Sequence, residues 1–127
     1  MLRACRRLLC PGGRTAFFTI HIPPGLSRTE RRHAIRAGPP AVSARHDHRT
    51  LLAAAGFANI RETDVTEEFS STLQAWLEYA SGREPELRQA MGDELFDARR
   101  SDRRIQSAAV DAGVLRRSLF SADKPVP

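Results

Sequence analysis

The sequence predicts an α/β fold, a small hydrophobic sheet interleaved with amphipathic helices, and three features carry that reading. The run Thr15 to Ile22 (TAFFTIHI) is rich in aromatic and β-branched side chains and holds no Asp, Glu, Lys or Arg, the pattern of a strand covered on both faces. Phe69, Leu73, Trp76, Leu77 and Ala80 recur at spacings of three and four, which places them on one face of a helix. Strand-like and helix-like stretches alternate along the chain, as they do when helices cover a sheet. The 127 residues are enough for one compact domain that buries roughly two-thirds of its unfolded surface. No apolar run approaches the ~20 residues that a membrane-spanning helix needs, so that class is excluded.

The elements come in this order. Leu2, Leu8 and Leu9, with Arg3, Arg6 and Arg7 between them, form the last turns of an amphipathic helix that Cys10-Pro11-Gly12-Gly13 stops. Thr15 to Ile22 is then a buried central strand, ended by Pro23-Pro24-Gly25. Residues 26–45 carry five Arg, a second Pro-Pro pair at Pro39 and Pro40, and few large apolar groups; they read as a basic loop with one helical turn around Arg28 to Arg36. Asp47 to Ala55 is a short helix with Leu51, Leu52 and Ala55 on one face and Gly56 as its C-terminal cap.

Asn59 to Asp64 (NIRETD) alternates as a strand. Thr66 caps the next helix, and Glu67 and Glu68 in its first turn favour the positive helix end. Gly82 ends it near Ala80, and Pro85 suits the first turn of a further helix on which Leu87, Met91 and Leu95 recur every four residues. A third helical stretch, Asp102 to Ala112, is capped by Gly113. Leu115 to Ala122 (LRRSLFSA) is the last strand, and Lys124 to Pro127 a tail. The domain plan is therefore a single unit: 1–25 helix end and central strand, 26–45 basic loop, 46–66 helix and strand, 67–113 helical insertion, 114–127 last strand and tail.

Charge is uneven. Residues 1–50 hold ten Arg against Glu30 and Asp47, a net of +8, while the remainder sums to −3. Such asymmetry marks nucleic-acid surfaces, but it also marks a fold whose partner charges lie on another segment, and no nucleic-acid-binding signature is present, so nucleic acid is not the expected partner. Cys5 and Cys10 are the two cysteines, on one helix and its turn, which predicts reduced thiols and a cytoplasmic chain rather than a disulfide framework. The Arg-rich, acid-poor start is superficially similar to a transit peptide, yet it runs directly into a strand with no serine-rich stretch.

Three segments carry a family resemblance. Leu8-Leu9-Cys10-Pro11-Gly12-Gly13, leading at once into a hydrophobic strand, resembles the Leu-(Lys or Arg)-Pro-Gly-Gly turn before the fifth strand of class I S-adenosylmethionine-dependent methyltransferases. Leu51-Leu52-Ala53-Ala54-Ala55-Gly56-Phe57, leading to Ile60 and Asp64-Val65-Thr66, resembles the helix, Ala-Gly-Phe turn and sixth strand of that family, and Leu115 to Ala122 resembles its seventh strand. The resemblance spans nearly the whole chain. It implies a partial Rossmann-like sheet of family strands five, six and seven, the last antiparallel between the other two, lacking the N-terminal cofactor-binding half. In the family, a glycine-rich turn after the first strand and an acidic residue after the second hold S-adenosylmethionine. Neither occurs here: Gly12-Gly13 precedes a strand and there is no Gly-x-Gly. The missing half corresponds to on the order of 100 residues upstream.

The resemblance thus implies a truncated methyltransferase, inactive alone, that binds no cofactor itself. The missing half is an implied partner, as is a second copy through the exposed strand Thr15 to Ile22, since an unpaired hydrophobic strand invites association. The alternative is a non-catalytic interaction module that pairs this strand with a partner chain; a third reading, a small basic nucleic-acid-binding protein, predicts salt-dependent affinity. No catalytic, cofactor-binding or metal residue is assigned. His46-x-His48 supplies two ligands and no third, and reads as solvated loop or helix-start histidines. Four residues are substrate-facing candidates. Thr19 and His21 point to one side at the carboxyl end of the first strand, where open α/β sheets bind ligands. Phe69 and Trp76 lie on the helical insertion, which in related enzymes helps cover the substrate, although core packing is the simpler explanation of both. Arg99, Arg100, Arg103 and Arg104 read as a solvated helix face, and Ser118 and Ser121 have no His and Asp arrangement that makes a nucleophile.

Overall fold

The computed structural model describes residues 1–40, 42 and 47–127. The elements run α1 (Leu2–Leu8), β1 (Arg14–His21), α2 (Arg28–Ala37), α3 (His48–Ala54), β2 (Ala58–Asp64), α4 (Thr66–Gly82), α5 (Glu84–Met91), α6 (Asp93–Asp111) and β3 (Arg116–Asp123). Part of the basic loop, and His46 with it, lies outside the described residues. The strands form one sheet in the order β1-β3-β2, and β3 is antiparallel to both neighbours. The last strand in sequence is therefore the middle one in space, as the resemblance implies.

Register decides which side chains meet. Phe17 lies opposite Phe120, Thr19 opposite Ser118 and His21 opposite Arg116; Glu62 lies opposite Phe120 and Asp64 opposite Ser118. Ser118, Phe120 and Ala122 alternate as the buried positions of β3. On their face, Phe120 and Ala122 pack with Leu52 of α3, Phe57 and the half-buried Leu2, Cys5, Leu9, Phe17 and Ile60. A second core joins Phe69 and Leu73 of α4, Ala34 and Ala37 of α2, and Ala109, Val110, Val114 and Leu115, with Ile20 and Ile22 packed against it. Because side chains alternate along a strand, Phe17 and Ile20 lead from opposite faces of β1 into different cores.

The turns that carry the resemblance are tied to other parts of the molecule. Gly12 adopts φ +80°, and its N–H donates to the Lys124 carbonyl (2.9 Å) while the Lys124 N–H donates to the Gly13 carbonyl (2.8 Å). The Lys124 ammonium also donates to the Leu9 carbonyl at 2.7 Å. Gly56 adopts φ +90°, where a Cβ would lie 2.9 Å from Arg6 Nε, and Arg6 donates to its carbonyl at 3.1 Å. Hence α1 is pinned to both the end of β3 and the α3–β2 turn.

Several expectations are corrected. β1 has the open edge that the missing half implies, but it is not the buried central strand its composition predicts: none of its residues is buried and Phe18 is 55% exposed, because β3 pairs with one side of it alone among the described residues. The stretch read as a basic loop with one turn contains the ten-residue α2, closed by a capping box: Ser27 Oγ accepts from the Glu30 N–H (3.1 Å) and Glu30 Oε1 accepts from the Ser27 N–H (3.0 Å). Thr66 is inside α4 rather than its cap. Asp64 Oδ1 accepts its N–H at 2.9 Å, while the Thr66 hydroxyl is engaged by the Arg117 backbone N–H at 3.0 Å. Leu95 does not share a helix with Leu87 and Met91, since Gly92 at φ +88° separates α5 from α6, and α6 begins at Asp93 instead of Asp102.

Candidate functional site

At the carboxyl end of β1 the sheet, α2, α3 and α4 line a half-open cavity of about 640 Å³. The alternation of β1 sends Thr19 and His21 to the face opposite Ile20, and all three line the cavity together with Phe69 of α4. Three of the four substrate-facing candidates therefore line it, Thr19 and His21 from one face of the sheet and Phe69 from the other. Trp76 does not line it; this side chain lies further along α4 under the guanidinium of Arg103, 4.9 Å from its ring centroid.

Residues that the sequence reading did not place at this site complete the polar part. His48 begins α3 because Asp47 caps that helix, its Oδ1 accepting the Thr50 N–H at 2.7 Å. This places the His48 ring 5.7 Å from Phe17 and 5.6 Å from Phe120, with Nε2 3.3 Å from the Thr19 hydroxyl. Ser118, 1% exposed, donates its hydroxyl to Glu62 Oε1 at 2.8 Å, so one cavity carboxylate is anchored from the sheet interior. At the strand ends Arg116 pairs with Asp64 at 3.0 Å. Arg117 lies with its guanidinium 4.1 Å from the Phe18 ring centroid and 4.9 Å from that of Phe69. Arg31 of α2 and Arg49 of α3 line the cavity as well, and Arg49 gives one N–H to the Ile60 carbonyl at 3.1 Å.

The electrostatics arise from these contacts. Burial pushes the His21 imidazole below its ordinary pKa, against the opposing pull of the Glu62 and Asp64 carboxylates. Hydrogen bonding from Thr50 holds Asp47 below the usual carboxylate range, and hydrogen bonding from Thr66 does the same for Asp64. The cavity thus offers a neutral imidazole at neutral pH, a second histidine fixed by aromatic rings and a hydroxyl, and guanidinium groups over an apolar wall. This can bind a small polar molecule and hold or accept a proton. Among the described residues no group of three or more His, Cys, Asp or Glu is placed to hold a metal ion, and no helix is long and apolar enough to cross a membrane.

His48 stands at a helix start, one of the two places the sequence reading allowed it, but its place in the cavity was not foreseen. Glu62, Ser118, Arg31 and Arg117 carried no legible signal, because only the strand register and the packing of α2 bring them to β1.

The whole chain has counterparts among solved structures. It matches phosphoethanolamine N-methyltransferase 2 of Haemonchus contortus, in complex with phosphomonomethylethanolamine and S-adenosylhomocysteine, with a TM-score of 0.76 at 17% identity over 98% of this chain and 29% of that one. A Galdieria sulphuraria protein described as a sarcosine dimethylglycine methyltransferase gives 0.76 at 14% identity, over 99% of this chain and 47% of that one. The cyclopropane synthase MmaA2 of Mycobacterium tuberculosis gives 0.69 at 18% identity, over 97% and 48%. The chain therefore has a fold shared with part of these methyltransferase-type proteins and spans less than half of their length. No family model matches the sequence, and no curated protein sequence does.

Proposed function

We propose that this chain is the C-terminal, acceptor-side part of a class I S-adenosylmethionine-dependent methyltransferase whose cofactor-binding half lies outside these 127 residues. One observation carries the reading. The last strand is antiparallel in the middle of the sheet, in the order β1-β3-β2, and the chain so folded superposes over nearly its full length on a minority of each methyltransferase-type chain. In this reading Thr19, His21 and Phe69 face the methyl acceptor and Trp76 packs with Arg103 outside that cavity.

The residues present do not fit the cofactor. The turn after β1 is Ile22-Pro23-Pro24-Gly25, whose two prolines present no N–H, so it forms no cradle of backbone donors for a methionine carboxylate. Asp64, the acid at the end of β2, is already held by Thr66 and Arg116. The chain alone is accordingly inactive, and the cavity residues act only once the other half supplies the methyl donor. In this reading Cys5 and Cys10 are reduced thiols of a cytoplasmic protein.

The test compares the 127-residue chain with one extended upstream in its reading frame by on the order of 100 residues. S-adenosylmethionine binding is followed calorimetrically, and methyl transfer by radiolabel into cell extract. Binding and transfer are expected from the extended chain alone. Tight cofactor binding by the short chain, or none by the extended one, would sink the proposal.

A second reading, an interaction module, is favoured by the open edge of β1 with Phe18 exposed on it. It predicts that the short chain self-associates or captures a strand through this edge, and that Phe18→Lys makes it monomeric in sedimentation. A monodisperse monomer before substitution counts against it.

A further inference from the structure

The charges lining the cavity are unequally committed. Its two carboxylates both have partners: Asp47 accepts the Thr50 N–H that starts α3, and Glu62 accepts the Ser118 hydroxyl. Of its guanidiniums, Arg49 adds its charge to the field on Asp47, but none of them closes an ion pair with a carboxylate among the described residues. The ion pairs among the described residues use Arg14, Arg83, Arg88, Arg100 and Arg116, and none uses Arg31, Arg49 or Arg117. Arg117 is instead laid against the Phe18 and Phe69 rings, a contact that fixes its plane and leaves its N–H edge to point elsewhere. Arg31 stands on a helix that also carries Arg28, Arg32 and Arg36, all exposed, and whose single acid, Glu30, is consumed by the capping box. The positive potential of α2 therefore adds to that of the cavity lining. On the face of the sheet that carries Arg117, Ile20, Ile22 and Phe69 are apolar and lower the local dielectric, which strengthens a charge-assisted hydrogen bond made there.

We propose that this cavity binds a small molecule through an anionic group, a phosphate or a carboxylate, gripped by Arg31 and Arg117 at the carboxyl end of β1. As the methyl acceptor's site it rests on the methyltransferase reading; as an anion site it stands on the lining alone. About 640 Å³ exceeds what a bare anion fills, so the rest of the ligand lies along Thr19, His21 and the apolar wall.

The experiment titrates the isotopically labelled 127-residue chain near neutral pH with sodium phosphate in one arm and sodium acetate in another, at ionic strength held constant with sodium chloride. The arginine Nε–H and histidine ring resonances are followed by NMR. A saturable shift of the His21, Arg31 and Arg117 signals is expected in at least one arm, and the tighter arm names the anionic group. Arg31→Gln and Arg117→Gln are each expected to weaken binding about tenfold or more, whereas Arg28→Gln, on the same helix but outside the cavity, leaves it unchanged. If Arg117→Gln loosens the fold, as its melting curve will report, Arg31→Gln decides alone because Arg31 is exposed and buries no core contact. Shifts that chloride reproduces, saturation by tetramethylammonium in place of the anions, or indifference to Arg31→Gln overturns the site. No cofactor is involved, so the two readings fail separately. An extended chain that methylates while the anions do not bind refutes only the anionic acceptor. Anion binding beside an extended chain that takes no S-adenosylmethionine refutes only the methyltransferase.

Discussion

The helical hairpin of α5 and α6 and the open edge of β1 use the same chemistry, aromatic rings and arginines, to opposite ends. In the hairpin, Phe96 is fully buried with the guanidiniums of Arg88 and Arg100 4.6 and 5.0 Å from its ring centroid. Both arginines are then closed by carboxylates: Arg88 reaches Glu84 (2.8 Å), Asp93 (3.1 Å) and Asp97 (2.7 Å), and Arg100 reaches Glu84 (2.8 Å) and Asp97 (3.2 Å). At the β1 edge Arg117 covers Phe18 at 4.1 Å, but the ring stays half exposed and the cation meets no carboxylate among the described residues. The first region satisfies itself. The second is an unfinished version of the same arrangement, with a strand edge and cationic groups left for something else to meet.

The largest test of that contrast is a pair of truncations. Phe96→Ala removes a ring with no exposure and is expected to cost about 3–5 kcal/mol. Phe18→Ala removes a ring that is largely hydrated already and gives up mainly its contact with Arg117, about 1 kcal/mol or less. Urea unfolding of the two variants gives the comparison directly. Equal losses would mean that the β1 edge is covered in solution, by a second copy or otherwise, and the contrast would fall.

Next in size is the response of the hairpin to acid. Hydrogen bonding from Arg88 holds both Glu84 and Asp97 below their ordinary values, with Arg100 adding to each. Because the folded-state values are depressed, the stability these groups contribute is present above the ordinary carboxylate range and is lost as the pH falls through the folded values. Arg88→Met should therefore lower the melting temperature at neutral pH and flatten its decline towards acid. A variant that melts in parallel with the parent at every pH would show the network to be ornamental, as many exposed ion pairs are.

How much of the molecule was legible depends on where each signal lives. Helices and strands with local signatures were readable: the 69-73-76-77-80 stripe of α4, Pro85 opening α5 and the Gly56 turn all lie within a few residues of the structure they specify. The length of α2 was not, although Ser27-x-x-Glu30 marks its start, since four arginines and a nearby Pro-Pro pair have the composition of a loop and its two buried alanines are a thin apolar stripe. The sheet order was not written in any local pattern and came only from the resemblance. The cavity was half legible. Thr19 and His21 follow from strand alternation, but Ser118 and Glu62 meet only because β3 inserts between strands far from it in sequence, with 56 residues separating the pair. The burial of β1 was misjudged for the same reason: a composition suited to two covered faces does not say whether the covering chain is part of the sequence in hand.

A smaller effect tests whether α2 belongs to the finished or the unfinished region. Ser27→Ala removes the hydroxyl that accepts the Glu30 N–H and is expected to cost about 1 kcal/mol. If α2 unfolds independently, hydrogen exchange of residues 28–37 will quicken while the amides of α6 stay protected. If both quicken together, Ala34 and Ala37 bind α2 into the same cooperative unit as the hairpin, and the boundary between the two regions moves to the far side of that helix.

The smallest and most local measurement is the titration of His21, since it reads the open region without disturbing it. Burial lowers its pKa, the carboxylates of Glu62 and Asp64 raise it, and Arg116 and His48 lower it, with burial the largest. The folded chain accordingly takes up this proton less readily than the unfolded one. Stability is full above the ordinary histidine value and declines as the pH falls through the window between that value and the lower folded one. NMR of the ring should show a midpoint below that of a free histidine, and Glu62→Gln should lower it further by removing a favourable charge. A midpoint at or above the ordinary value would mean that water or a bound group already solvates the ring. In that case β1 ends in an open, hydrated cleft, and the aromatic wall around Phe120 does not close over it.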